Sequence, residues 1–403
     1  MKKKLLLFVL LLAGLTNVHA ADNGTLTVAN IKNVVPGYSG SFDIVLSGAS
    51  VTYCAYQFNL AMPEGLTYTS YSNGALLTNH TADVTDHTTY LTFIGESTSV
   101  DNFTSANGTL VTIYFTVAAN ASGTLTGGSL TTNVMSDNQA VAYHLADANF
   151  SIPVGNTVTL SEDETAAPSA ISGVDVTVER TLKADVWNTI CLPFDMNADQ
   201  ITSVFGAGTQ VAAYNGDDAE YDEMNTNVIG VKMKFVSAST ITAHTPYIIK
   251  VPSAMDEFTV SNVNITTAGG ELKTAKGTNM SIPGYGTLYV ASDMIGTYEK
   301  NTSVPSGNLY LIDNEFKFSQ GNTKLKAFRA YFDVAHSSYI YSMATSSSAP
   351  AITLDIDGNT TGISALELDA DKTADSYYTV QGLQVAQPSK GLYIVNGRKV
   401  IIK

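Results

Sequence analysis

Cysteine, tryptophan and cations are scarce in this chain of 403 residues, and each scarcity removes a class of function. Cys54 and Cys191 are the only cysteines. Two thiols far apart in apolar runs exclude a disulfide-stapled scaffold and any Cys-x-x-Cys metal or redox site, and they read as buried free thiols. Lysine and arginine total 21 against 36 acidic residues, a formal charge of −15. A chain so short of cations has no basic stripe for phosphate, so no nucleic-acid partner is expected. The longest apolar run, Leu5 to Leu15, is eleven residues, about half of what spans a bilayer. No transmembrane segment is therefore expected in the mature chain. His-Glu-x-x-His, Gly-x-Ser-x-Gly and P-loop motifs are missing, and Gly206-Ala-Gly208 and Gly284-Tyr-Gly286 lack the third glycine of a dinucleotide fingerprint. No catalytic residue, metal ligand set or cofactor is expected, and the protein reads as a non-enzyme.

The opening residues have a function of their own. Lys2, Lys3 and Lys4, the short apolar run and Val18-His19-Ala20 before Ala21 form the pattern of a secretory signal peptide over residues 1–20. Beyond it, Thr, Val, Tyr and Phe alternate with polar residues between Gly, Asn and Asp turns, which predicts an all-β protein. A first domain, 21–158, has expected strands at 25–31, 41–46, 53–61, 88–94, 110–117, 124–131 and 149–154, spaced for an antiparallel sandwich. Residues 159–172, with Glu162-Asp-Glu164 and Pro168, read as a linker. A second mainly-β domain, 173–361, has one helix, expected from the Asn197/Gln200 capping pair, the apolar positions Ile201, Val204 and Phe205, and Gly206 at its end. Residues 362–403 form a small β tail with a hairpin predicted at Asn396-Gly397.

Three polar clusters carry side chains capable of chemistry. Asn79 to His87 places His80 and His87 around Asp83 and Asp86, a spacing that matches no ligand pattern and reads as a solvated loop. Asp217, Asp218, Glu220, Asp222 and Glu223 crowd another turn, expected in solvent or loosely around calcium. Asp355-Ile-Asp-Gly-Asn359 has glycine at the wrong position for a calcium loop and reads as a turn closing a strand.

The candidate binding residues come from strand alternation. Cys54, Tyr56, Phe58 and Leu60 share one face; Tyr53, Ala55, Gln57 and Asn59 share the other. Likewise Leu91 and Phe93 oppose Tyr90 and Thr92, and Ile113 and Phe115 oppose Tyr114. The predicted site is thus a polar sheet face made of Tyr53, Gln57, Asn59, Tyr90, Thr92 and Tyr114, whose rings suit sugar stacking or a protein partner.

Three resemblances follow from these stretches. Tyr53-Cys-Ala-Tyr-Gln-Phe-Asn-Leu-Ala-Met-Pro-Glu-Gly-Leu66, Tyr90-Leu-Thr-Phe-Ile-Gly-Glu96 and Asn107-Gly-Thr-Leu-Val-Thr-Ile-Tyr-Phe-Thr-Val117 resemble a cohesin-type jelly-roll β-sandwich, a superfamily that also holds cellulose-binding modules. In cohesins the similar strands lie in the sheet that binds dockerin. Trp187-Asn-Thr-Ile-Cys-Leu-Pro-Phe194, Pro246-Tyr-Ile-Ile-Lys250 and Lys326-Ala-Phe-Arg-Ala-Tyr-Phe332 resemble a domain repeated in exported surface proteins of Gram-negative anaerobes. Tyr378-Thr-Val-Gln-Gly382 and Pro388-Ser-Lys-Gly-Leu-Tyr-Ile-Val-Asn-Gly-Arg398 are similar to type IX secretion sorting tails. Together they imply an extracellular or outer-surface protein whose sandwich binds a carbohydrate polymer, or alternatively a surface protein through a cohesin-like adhesion face. The tail would be read by the outer-membrane export machinery.

Overall fold

The computed structural model describes residues 23–139, 141–221, 228–282, 286–334, 337, 340, 351–361, 377–379, 384–385, 391–395 and 398–402. The expected leader and the Asn396-Gly397 turn lie outside them. The chain is almost entirely β, with a single helix among the described residues and no closed barrel.

The first unit is a sandwich of ten strands: β1 (Asn23–Lys32), β2 (Ser39–Ala49), β3 (Ala55–Ala61), β4 (Leu66–Asn73), β5 (His80–Asp86), β6 (Leu91–Ser97), β7 (Gly108–Val117), β8 (Thr124–Ser136), β9 (Ala142–His144) and β10 (Ala148–Pro153). One sheet runs β1-β2-β7-β4; the other runs β10-β8-β3-β6-β5, with β9 on β8. Phe42, Ile44, Ile113 and Phe115 from the first sheet meet Tyr56, Phe58, Leu60 and Phe93 from the second. Phe58 and Phe93 stack with ring centroids 4.8 Å apart.

β4, β5 and the three-residue β9 were not expected. The supposed loop 79–87 is largely β5, whose Thr81, Asp83 and Thr85 face outward while Ala82 and Val84 pack against the core. Short inward side chains gave the segment too little apolar contrast to read as a strand. His80 is buried there, its Nε2 3.1 Å from the Cys54 carbonyl oxygen. Both cysteines are free and buried.

The second unit starts earlier than the sequence suggested. Its elements are β11 (Thr157–Ser161), β12 (Ile171–Glu179), β13 (Trp187–Cys191), α1 (Ala198–Phe205), β14 (Gln210–Tyr221), β15 (Val228–Ala238), β16 (Pro246–Lys250) and β17 (Phe258–Ile265), followed by shorter strands. β11 and β12 pair in parallel, from Thr157 opposite Asp175 to Ser161 opposite Glu179, and β17 completes their sheet. The predicted linker at 159–172 is therefore strand at both ends. Its acidic cluster is docked: Lys326 Nζ and Arg329 Nη2 donate to the Glu162 carboxylate at 2.8 and 2.6 Å. The cations that fix this segment arrive far downstream, so local sequence could not reveal them.

A six-stranded sheet, β13-β16-β14-β15 followed by Ala351–Ile356 and Asn359–Thr361, packs against a five-stranded sheet that includes Asp293–Thr297, Leu309–Ile312 and Arg329–Asp333. The predicted helix is present, with the Asn197/Gln200 capping box and Gly206 at its end. The acidic turn expected at 215–223 is corrected over 215–221, which belong to β14. Asp217 is buried and accepts from the Ser292 N–H and hydroxyl and from the Ser337 hydroxyl, at 2.5, 2.9 and 3.0 Å. Asp218 and Glu220 pair across the strands with Lys234 and Lys232 at 2.7 and 3.1 Å; Asp222 and Glu223 lie outside the described residues. Asp357 and Gly358, both at positive φ, turn the hairpin between Ala351–Ile356 and Asn359–Thr361. In the tail, Gly391–Val395 and Arg398–Ile402 pair antiparallel.

Arg180 lies inside the second unit with 1% of its surface exposed. Its guanidinium donates to the Phe328 carbonyl at 2.5 Å and to the Thr189 carbonyl, while Nε has no partner. Phe328 is wholly buried at φ 61, a left-handed conformation that a bulky residue adopts only under constraint. Arg180 thus ties β13 to the turn that precedes Arg329–Asp333.

His244 offers a pH test of this unit. Tyr298 gives its proton to the Leu192 carbonyl at 2.8 Å, so His244 Nδ1 donates to the Tyr298 oxygen and Nε2 accepts from Thr266, each at 2.8 Å. Burial holds the imidazole below its ordinary range, opposed by Asp195. The unfolded chain therefore takes up the proton first as pH falls. The stabilisation is complete above about pH 6.5 and is lost as pH falls from there through the lowered value. Melting temperature should fall below pH 6.5 in the parent and fall less in His244→Gln.

Candidate functional site

The outer face of the sheet β10-β8-β3-β6-β5 carries the candidate site. Alternation along β3 sends Tyr56, Phe58 and Leu60 inward and Gln57 and Asn59 outward. Along β6, Leu91 and Phe93 point in while Thr92, Ile94 and Glu96 point out. Register then assembles rows across the sheet. Asn59 lies between Thr92 and Thr131, and Gln57 between Ile94 and Val134; β5 adds Thr85 beside Thr92 and Asp83 beside Ile94.

The first row is hydrogen-bonded within itself. Thr92 Oγ1 donates to Asn59 Oδ1 at 2.8 Å, and Asn59 Nδ2 donates to Thr132 Oγ1 at 3.1 Å. This presets the amide without immobilising a long side chain, so docking on it costs little conformational entropy. Tyr90 borders the row at the turn into β6, 38% exposed, its ring stacked on His87 at 4.6 Å.

Two expected members do not belong to this face. Tyr53 is wholly buried; its hydroxyl donates to the Asn23 carbonyl at 2.6 Å and its ring packs on Tyr143 and Phe103. Burial first, then Tyr143 and Asp137, push the phenol up to about 12. The alternation argument assumed that the strand included residue 53, but β3 begins at Ala55, so the parity of Gln57 and Asn59 does not extend back to it. Tyr114 is exposed, but on β7 of the opposite sheet, among Ser41, Ser70 and Ser72, with its hydroxyl 3.3 Å from Ser72 Oγ. The three-tyrosine platform expected for sugar stacking is therefore not assembled.

The sequence reading missed Ile94, Asp83, Glu96 and Thr132. Ile94 and Glu96 stand at outward positions of β6, whose alternation was visible, whereas Asp83 lies on β5, which read as a loop; Thr132 reaches the face through a bulge in β8 at positive φ. Among the described residues, no group of three His, Cys, Asp or Glu side chains could hold a metal ion, and no helix is long and apolar enough to cross a membrane.

No protein-family model matches the chain, and no curated protein does. Among solved structures, 53 chains match, cohesin modules among them. The sixth cohesin of Acetivibrio cellulolyticus scaffoldin B, solved in complex with a mutant dockerin, is 17% identical with a TM-score of 0.30, covering 33% of this chain and 99% of its own. A cohesin module from a Clostridium perfringens family 33 glycoside hydrolase is 12% identical with a TM-score of 0.29, covering 33% and 97%. A non-cellulosomal cohesin of Archaeoglobus fulgidus is 16% identical with a TM-score of 0.26, covering 32% and 91%.

Proposed function

We propose that this is an exported, non-enzymatic binding protein whose sandwich docks a protein partner on the outer face of β10-β8-β3-β6-β5. The observation that carries this reading is the prebonded row Thr92–Asn59–Thr132 beside Gln57 and Ile94, a flat mixture of amide, hydroxyl and aliphatic surface. Such a surface has the composition of protein interfaces. A carbohydrate head is less favoured, because the rings meant to stack on sugar occupy the core, one edge and the opposite sheet. The second unit serves as a scaffold, and residues 362–403 as the export tail. The sequence resemblance to cohesins makes a dockerin-type protein the first partner to try.

The test uses the full mature chain as bait against the producing cell's secreted proteins, beside a Gln57→Arg/Asn59→Arg/Thr92→Arg variant. Capture by the parent and not by the variant is the expected result, with both melting alike. A glycan-array hit kept by this variant and lost in Tyr114→Ala would instead move the function to the opposite sheet and make it carbohydrate binding.

A further inference from the structure

Between Ala21 and Val158 the sequence holds nine acidic residues and one cation, Lys32. That lysine is committed to the second unit, its Nζ 2.9 Å from both carboxylate oxygens of Glu179. The sandwich therefore has no cation of its own to offer its carboxylates. On the proposed face, Asp83 stands directly opposite Ile94 and Glu96 follows Ile94 by one outward position. No ion pair among the described residues involves either. Three carboxylates of the second unit differ: Asp218, Glu220 and Glu162 each have a lysine, at 2.7, 3.1 and 2.8 Å.

We infer that the partner docked on this face is cationic: a protein segment that sets an aliphatic side chain against Ile94 with lysine or arginine on either side, meeting Asp83 and Glu96. This rests on the docking reading above and specifies its chemistry. Two carboxylates without an ion pair among the described residues, set around an aliphatic centre, repel an acidic segment and speed encounter with a basic one. A nucleic acid or another anionic polymer is excluded from the same face by the same charges.

The probes are two synthetic amphipathic helical peptides of about twenty residues, long enough to hold helix in water. They share one leucine face, flanked by lysine and arginine in one and by glutamate in the other. Methyl NMR of the full chain, labelled at Ile and Val, reads the outcome at Ile94. The basic peptide should move the Ile94 methyl, and its affinity should weaken about fivefold between roughly 0.05 and 0.3 M salt. Asp83→Lys/Glu96→Lys should transfer the response to the acidic peptide without lowering the melting temperature. Equal responses to both peptides would overturn the charge inference and leave the docking reading standing. No response at Ile94 to either peptide would overturn both. Shifts spread over the other acidic surfaces and unchanged by the double reversal would show non-specific attraction and overturn the inference alone.

Discussion

Replacing Arg180 with alanine should lower the stability of the second unit by about 4 kcal/mol. The deletion empties a fully enclosed volume and removes a donor from both the Thr189 and Phe328 carbonyls. Phe328 keeps only the Cys191 N–H, at 3.1 Å, to hold its left-handed turn from that side. Two further variants separate volume from hydrogen bonding. Arg180→Met fills the space without the fork and should lose about 2 kcal/mol. Arg180→Lys keeps the charge and can reach one carbonyl at most, so it should fall between the two. Urea unfolding followed by fluorescence suits the question, because Trp187, the only tryptophan, is buried in β13 beside the affected seam. Arg180→Met matching or exceeding the parent would mean that desolvating the guanidinium costs more than its two bonds return.

The second large effect is expected at Gly95. An added Cβ there would sit 2.1 Å from Tyr56 Cε1 and Cζ, inside the ring's own envelope. Tyr56 cannot retreat, since it is wholly enclosed and stacked on Phe58 at 5.8 Å. Gly95→Ala should cost about 3 kcal/mol and lower the calorimetric transition of the sandwich. Tyr56→Leu in the same chain should restore part of it by vacating the space. Tyr56→Phe alone should raise stability by about 1 kcal/mol, because the buried hydroxyl has no hydrogen-bond partner. No gain in Tyr56→Phe would mean that an internal water satisfies that oxygen.

Period-two alternation was sufficient to read the sandwich strands whose inward residues are large, as in β3, β6 and β7. It failed at β5, where the inward positions are His80, Ala82 and Val84, and at β4, where Tyr68 and Tyr71 are separated by a bulge between Tyr68 and Ser70. The helix was legible because its stop and start signals are local: one amide pair and one glycine. Glu162 was read as linker, and Asp217 as solvated or loosely around calcium, for the opposite reason. What buries or pairs them is supplied by Lys326, Arg329, Ser292 and Ser337, remote in sequence. The candidate site fell between these cases. Gln57, Asn59 and Thr92 followed from parity alone, whereas Tyr53 depended on a strand boundary and Tyr114 on which sheet β7 joins. Neither boundary nor sheet membership is encoded by alternation.

The joint between the two units has a mechanical consequence. The loop after β1 inserts Val35 and Tyr38 into the second unit's core, and Asn33 exchanges two hydrogen bonds with Thr159, at 2.6 and 3.2 Å. The chain then leaves the sandwich along β11, which lies parallel to β12 over five residue pairs. Tension from a bound partner would enter β11 at its first residue and leave through the last residue of β12, at opposite ends of the pair. Parallel strands loaded that way slide past each other, so their hydrogen bonds must break together; strands peeled from one end lose them one at a time. The connection is built as a shear clamp, and a partner held on the sandwich would pull against the whole of it at once.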